Sequence, residues 1–205
     1  MAFTSFKNLT EVVKKYELFY DVQRIISLEK VTAMPSANLV ETIDFNLRET
    51  VYDASEASLC EAIIYPILQD VWKNFRDKLL LWSHTGIEAD DILTGIPDYI
   101  VAKKSEYGRV LGTPLLTTVE AKKDNFADGW TQCTTQLLAM QKINQSDNNY
   151  TLYGIVTNGE SWEFAQLSGN KLLKNTITYS VFDLEQLYKV LFFIFSDCYK
   201  QVEKK

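Results

Sequence analysis

Histidine and cysteine are scarce in this chain of 205 residues. His84 is the only histidine, and the three cysteines, Cys60, Cys133 and Cys198, are odd in number and widely spaced. Zinc sites and nucleophile–histidine pairs need more of these residues or closer spacing, so the sequence indicates neither. We expect all three cysteines to be reduced and unpaired within the chain, which favours a cytoplasmic location.

Long apolar runs and excess basic charge are also missing. The longest apolar run, Val190 to Phe195, is too short to span a bilayer, and no basic segment with an apolar core opens the chain. We therefore expect neither a membrane protein nor a signal peptide. Lys and Arg number 21 against 27 Asp and Glu, a net charge of −6. This balance argues against a general polyanion binder, because such proteins neutralise phosphates with basic side chains.

The length and the hydrophobic content of 46 % predict a packed globular protein. We divide it into an N-terminal extension, residues 1–50, that packs on the core, and a main domain, residues 51–205. The extension is predicted to hold short helices at Leu9 to Tyr16 and Asn38 to Leu47. Glu17 to Ile26 is ambiguous between strand and helix.

A strong helical pattern covers Asp53 to Lys78, with apolar residues at helical spacing. Asp53 is the predicted N-cap, with Glu56 as its N3 partner. Pro66 lies inside the helix and lacks an N–H group, so the carbonyl of Ala62 loses its helical partner and we expect a kink.

The rest of the chain alternates between strand and helix patterns. Strands are predicted at Leu79 to His84, Tyr99 to Ala102 and Leu115 to Val119, followed by a helix capped by Asn125 that ends near Ile143. A hairpin around Asn158-Gly159 and a final helix capped by Ser180 follow. This order predicts an α/β fold with a mixed central β-sheet flanked by helices.

Acidic and basic residues stand at the ends of two of these strands. Pro97-Asp98 precedes one strand, and Glu120-Ala121-Lys122 ends the next. Strand side chains alternate between faces, so Glu120 and Lys122 share a face. Two acids and a lysine on neighbouring strands outline a metal site.

This pattern resembles the PD-(D/E)xK nuclease superfamily, whose fold is called restriction-endonuclease-like, and within it the nuclease domains of type I restriction-like proteins. Three further features agree with it in order: Glu61 with Pro66 on the preceding helix, Gln136 on the following helix, and the Asn158-Gly159 turn between strands. The resemblance covers about Asp53 to Leu167.

The resemblance implies a hydrolase, a metal-dependent endonuclease acting on nucleic acid, with DNA as the expected substrate. Asp98, Glu120, the Ala121 carbonyl and Glu61 would hold Mg²⁺ or Mn²⁺, hard cations that prefer oxygen ligands. Lys122 would orient or deprotonate the attacking water, a role that as a base needs a lowered pKa. Gln136 would lie near the site.

Several alternatives stay open. Glu56 competes with Glu61, and Gln132 with Gln136, while His84 is more simply a surface residue. The fold could also be a catalytically silent binding or assembly module. Candidate phosphate contacts are Lys103, Lys104, Arg109 and Lys123. A symmetric homodimer is predicted, with an interface formed by Phe192, Phe193 and Phe195 of the last helix.

Overall fold

The computed structural model describes residues 5–144 and 150–203. The helices are α1 (Leu9–Lys15), α2 (Ala37–Glu49), α3 (Glu56–Leu59), α4 (Tyr65–Trp72), α5 (Phe126–Ile143) and α6 (Leu184–Glu203). A π-helical turn (Cys60–Ile64) joins α3 to α4, and 3₁₀ turns lie at Lys73–Phe75 and Val181–Asp183. The strands are β1 (Phe19–Gln23), β2 (Leu79–Ser83), β3 (Ile87–Glu88), β4 (Thr94–Gly95), β5 (Tyr99–Lys103), β6 (Leu115–Ala121), β7 (Leu152–Thr157), β8 (Ser161–Ser168), β9 (Lys171–Asn175) and β10 (Tyr179–Ser180).

One eight-stranded sheet forms the centre of the molecule. Its strands follow the order β1-β9-β8-β7-β6-β5-β2, and β10 pairs with β8. The β1–β9 and β6–β7 pairs are parallel and the others antiparallel. The predicted α/β fold with a mixed central sheet flanked by helices is thus confirmed. Its assignment to the restriction-endonuclease-like fold stays a prediction.

Each face of the sheet carries a hydrophobic core. Alternate residues of β5 divide between them: Tyr99 and Val101 pack in the core that includes α4 and α6, and Ile100 and Ala102 in the core that includes α5. This division follows from the alternation of side chains along a strand. Strands covered on both faces become buried throughout, as β6 and β7 are.

The first fifty residues add to the edge of the sheet and to both cores. The ambiguous segment contains the strand β1, which pairs with β9. Helix α2 places Leu39 and Ile43 in the core beside α4, and α1 places Val12 in the core beside α5. All five residues of β1 are exposed, which explains why no burial pattern marked it in the sequence.

The helical segment after Asp53 differs from its prediction. Ser55, not Asp53, is the N-cap, and its hydroxyl accepts a hydrogen bond from the Ser58 N–H. The π-helical turn immediately precedes α4, and Pro66, which has no N–H to donate, lies in the first turn of α4. The carbonyl of Ala62 finds a partner outside its own helix, the side-chain amide of Asn46 at 2.6 Å.

Two other local signals behave as predicted. Asn125 caps α5 by accepting from the Asp128 N–H at 3.1 Å. Gly159 has a φ of 83° in the turn between β7 and β8, a backbone conformation that favours glycine. Ser180 differs from its prediction, because it caps the 3₁₀ turn Val181–Asp183 and not α6 itself, where Asp183 accepts from the Gln186 N–H.

The predicted dimer interface is wrong in one residue. Phe195 is fully buried in the core and lies 6.1 Å from Phe75 between ring centroids, so it is not available at the surface. Phe192 and Phe193 are partly buried, and Phe192 also packs on Phe75. The homodimer itself stays a prediction.

Across residues 5–144 and 150–203, no helix has both the length and the apolar character that a membrane crossing requires.

Candidate functional site

The candidate site lies where one end of the sheet brings several strand termini together. Asp98 immediately precedes β5, and Ala121 is the last residue of the neighbouring β6. The N–H of Ala121 donates a 2.7 Å hydrogen bond to Asp98 Oδ2. The main chain of Ala121 therefore lies against the Asp98 carboxylate. The Pro97-Asp98 and Glu120-Ala121-Lys122 parts of the pattern are thus adjacent in the structure.

Glu120 is buried and held on both carboxylate oxygens. Its Oε1 lies 2.8 Å from Lys122 Nζ, and its Oε2 accepts a 2.6 Å hydrogen bond from the Gln136 side-chain amide. Gln136 is itself oriented by the Thr118 hydroxyl, which donates to Gln136 Oε1 at 2.5 Å. Of the two glutamines considered from the sequence, Gln136 makes this contact, because α5 crosses the face of β6 at that point.

Lys122 reaches from the end of β6 to two acids. Its Nζ lies 2.8 Å from Glu120 and 3.6 Å from Glu56. Gly129 of α5 makes room for the stem of Lys122: a Cβ on this glycine would lie 3.0 Å from Lys122 Cγ. The close approach of α5 to β6 thus fixes the lysine beside Glu120.

Burial disfavours the ionised forms of Asp98 and Glu120. It raises the pKa of Asp98, despite the hydrogen bond from Ala121. Burial also raises the pKa of Glu120, and the nearby Asp98 charge adds to the effect. Each group is therefore harder to ionise here than in water.

The acidic neighbours of Lys122 favour its charged form. Burial alone would lower its pKa, but the carboxylates of Glu120, Glu56 and Asp98 outweigh burial, and the pKa is raised. A general base needs a lowered pKa. The arrangement therefore favours the charge-balancing and orienting role for Lys122 over the role of base.

The two candidate helix acids take different places. Glu56 forms the ion pair with Lys122, and since Ser55 caps the helix, capping does not explain Glu56. Glu61 is exposed and lines a cavity of about 540 Å³ together with Cys60 and His84. Contact with Lys122 thus favours Glu56, the residue that sequence reasoning ranked second. Metal ligation by Glu61 stays a prediction.

The candidate phosphate contacts divide between the two ends of the sheet. Lys103 ends the strand that Asp98 precedes, so the two lie roughly 16 Å apart at the usual rise per residue. Lys104 donates its N–H to the Lys78 carbonyl at the start of β2, also at the far end. Lys103 and Lys104 are therefore too distant to contact a phosphate bound at Asp98, and a contact from Arg109 stays a prediction. Lys123, exposed and next to Lys122, lies at the correct end.

Sequence reasoning missed a second cluster that shares Asp98. His84 Nε2 lies 3.5 Å from Asp98 Oδ1, and one ligand atom each from Cys60, His84 and Asp98 lie within 4.8 Å of one another. The sequence predicted no thiol near His84, but the fold brings Cys60 of the π-helical turn to the end of β2. The three cysteines are free, as predicted.

A larger cavity, about 760 Å³, lies elsewhere, between the 27–34 segment and α6. It holds neither the paired acids nor the cysteine–histidine cluster, so we place the candidate site by its chemistry and not by the size of the cavity.

No protein-family model matches the chain, and no curated protein sequence matches it either.

Proposed function

We propose that this protein is a divalent-metal-dependent phosphodiesterase, a nuclease that cleaves nucleic acid, with DNA as the expected substrate. The observation that carries the proposal is the convergence of Asp98, Glu120, Lys122 and Gln136 at one end of the sheet. Asp98, the Glu120–Lys122 segment and Gln136 come from three separate elements, and the resemblance to PD-(D/E)xK nucleases implies that they lie together.

The donor set fits Mg²⁺ or Mn²⁺. Two carboxylates whose pKa values are raised by burial have negative charge that a cation would stabilise, and oxygen ligands match the preference of hard divalent ions. Asp98, Glu120 and the Ala121 carbonyl would hold the ion, with Glu61 as a further candidate. A metal bound there would supply an acidified water and stabilise charge on the scissile phosphate.

The chain's own residues account for orientation and charge. Lys122 is held between Glu120 and Glu56, and as a cation it would donate a hydrogen bond to a water or phosphate oxygen bound at the strand end. Gln136 and Thr118 fix the Glu120 carboxylate in one orientation. Preorganised polar groups of this kind lower the reorganisation that a reaction needs.

A second candidate function, a silent binding or assembly module, is favoured by the same contacts. Lys122 and Gln136 already bind both oxygens of Glu120, and Ala121 binds Asp98, so the group is satisfied by protein contacts alone. The net charge of −6 also argues for it.

Mn²⁺ titration by calorimetry, paired with cleavage assays on plasmid and single-stranded DNA, separates the two. Asp98→Ala and Glu120→Ala should abolish metal binding, and both variants should remain folded by circular dichroism. Lys122→Ala should keep metal binding and lose about 10²-fold or more in turnover, because a positive charge that stabilises the reacting phosphate is removed. Asp77→Ala, an exposed acid at the far end, is the matched control and should behave as the parent protein.

Metal binding without cleavage of any substrate would favour the silent module. Unchanged Mn²⁺ affinity in Asp98→Ala and Glu120→Ala would remove the proposed metal site, and the nuclease proposal with it.

A further inference from the structure

A second set of candidate metal ligands shares Asp98 and includes a thiol sulfur and an imidazole nitrogen, which are softer donors than carboxylate oxygen. Cys60 Sγ, one ring nitrogen of His84 and an Asp98 oxygen lie within 4.8 Å of one another. Donor atoms bound to one tetrahedral zinc ion are roughly 3.4–3.6 Å apart, given zinc–ligand distances of about 2.0–2.3 Å. The observed 3.5 Å between His84 and Asp98 already meets this spacing.

The imidazole of His84 is oriented as in a metal site. Its Nδ1 forms a 2.8 Å hydrogen bond with the Ser83 hydroxyl. In the tautomer in which Nδ1 carries the proton and donates it to the Ser83 hydroxyl, Nε2 presents its lone pair toward Asp98. Metal-binding histidines commonly use the second ring nitrogen for such a contact, which helps to orient the ring.

The backbone at two of these residues departs from regular structure. His84 has a φ of 48°, in the left-handed region that costs free energy in residues other than glycine, and its N–H donates to the Asp98 carbonyl at 2.8 Å. Cys60 begins the π-helical turn, and the Tyr99 hydroxyl donates to its carbonyl. π-Helical turns within α-helices often mark functional sites. The cluster is thus held from both of the elements that supply it.

The surroundings leave a coordination position open. The cavity of about 540 Å³ is lined by both Cys60 and His84, and by Glu61, which like His84 is exposed. Three protein ligands beside an open cavity resemble the arrangement in which water or substrate completes a zinc site.

We propose that Cys60, His84 and Asp98 form a binding site for a thiophilic divalent cation of the Zn²⁺ class. Binding replaces the S–H bond of Cys60 with a sulfur–metal bond and releases the proton to solvent. Thiolate and imidazole select such ions over Mg²⁺, which prefers oxygen ligands.

Sharing of Asp98 has a regulatory consequence, which rests on the proposed nuclease function. Asp98 Oδ1 faces His84, and Oδ2 accepts from Ala121, so a cation bound by Cys60 and His84 draws on the carboxylate that the Mn²⁺ site needs. Zn²⁺ should therefore inhibit Mn²⁺-supported cleavage.

The test uses the full, reduced chain and Co²⁺ as a spectroscopic substitute for Zn²⁺. A thiolate-to-Co²⁺ charge-transfer absorption should appear in the parent protein, in Glu120→Gln and in Cys133→Ser, whose thiol lies in the other core. It should disappear in Cys60→Ser and in Cys60→Ala, with folding verified by circular dichroism. Ser83→Ala should weaken Zn²⁺ affinity about tenfold by calorimetry.

Absence of the absorption in the parent protein, or its persistence in both folded Cys60 variants, would overturn the site. The absorption does not depend on cleavage, so it decides the proposal even if the nuclease function fails. In the cleavage assay, Cys60→Ser should need at least tenfold more Zn²⁺ for half-inhibition than the parent, and equal sensitivity would refute the competition.

Discussion

Asp98 is the residue on which both proposals converge. It lies beside the end of β6 through Ala121 and beside the end of β2 through His84. Its side chain is only 20 % exposed, and burial raises its pKa. An acid kept in such a place costs stability, which is common where a residue serves function and not folding.

Asp98→Asn should therefore stabilise the protein in EDTA at neutral pH, by roughly 1 kcal/mol. The amide oxygen can still accept from Ala121, while the penalty of burying a charge is removed. The pKa of Asp98 is raised in the folded state, so its ionised form costs stability above the folded pKa. That cost is lost as the pH falls from the folded pKa toward the ordinary value of 3.8. The advantage of Asp98→Asn should shrink over this window, as measured by urea unfolding at several pH values.

Asp77→Asn provides a control of opposite sign. A hydrogen bond from Tyr199 lowers the pKa of the Asp77 carboxyl, and Asp77 is at the far end of the sheet. Its replacement should give no stabilisation at neutral pH. A stabilising effect of the same size in both variants would indicate a general effect of net charge rather than burial at Asp98.

The site residues predicted from the sequence form a recognisable motif. The two that were missed lie in separate elements. Asp98, Glu120 and Lys122 stand at strand ends in a recognisable spacing. Cys60 and His84 are in different elements, and only the pairing of β2 with β5 and the packing of α3 bring them together. No spacing within the sequence reports that contact.

The ranking of Glu56 below Glu61 rested on the predicted N-cap. Asp53 and Ser55 both fit the pattern of an N-cap, and the choice of Asp53 gave Glu56 a capping role that Ser55 makes unnecessary. Once the helix begins at Glu56, this side chain is free to meet Lys122.

Among the elements, the segment Glu56 to Trp72 is held in part by a contact from another helix. The Ala62 carbonyl, left without a helical partner by Pro66, accepts from Asn46 of α2 at 2.6 Å. Asn46→Ala should destabilise the protein by about 1–2 kcal/mol, because it leaves a partly buried carbonyl unpaired. Urea unfolding measures this change, and the same variant should weaken the Co²⁺ absorption if the π-helical turn positions Cys60.

Asn38→Ala is the matched control, since Asn38 is exposed on the same helix. It should change stability by less than about 0.5 kcal/mol. Equal losses in the two variants would mean that the amide of Asn46 contributes no more than an ordinary helix residue.

Elements with strong local signals could be predicted and those at the edge could not. The α5 cap at Asn125 and the turn at Gly159 involve contacts within three residues, so the sequence contains them. Strand β1 is exposed along its whole length and is stabilised by pairing with β9, which is distant in sequence. Its alternation pattern is therefore weak, and the segment stayed ambiguous.

At the scale of the whole molecule, the sheet separates its charges along the strand direction. Asp98, Glu120 and Lys122 lie at one end, and Lys103 and its neighbours at the other. The candidate phosphate contacts Lys103, Lys104 and Lys123 are close in sequence, but the length of β5 keeps them from forming one patch. If nucleic acid binds at Asp98, few phosphates can be neutralised there.

Binding of duplex DNA should therefore depend weakly on salt. Each neutralised phosphate contributes about −0.9 to the slope of log K against log salt, so contacts from Lys122 and Lys123 predict a slope of roughly −2. Fluorescence anisotropy in Ca²⁺, which is expected to support binding without cleavage, measures the slope between about 50 and 200 mM salt. Lys123→Ala should reduce its magnitude by about 1, and Lys104→Ala, at the far end, should leave it unchanged. A slope near −5 that falls in Lys104→Ala would place the nucleic acid on the opposite end of the sheet and separate it from the acids that the proposed function requires.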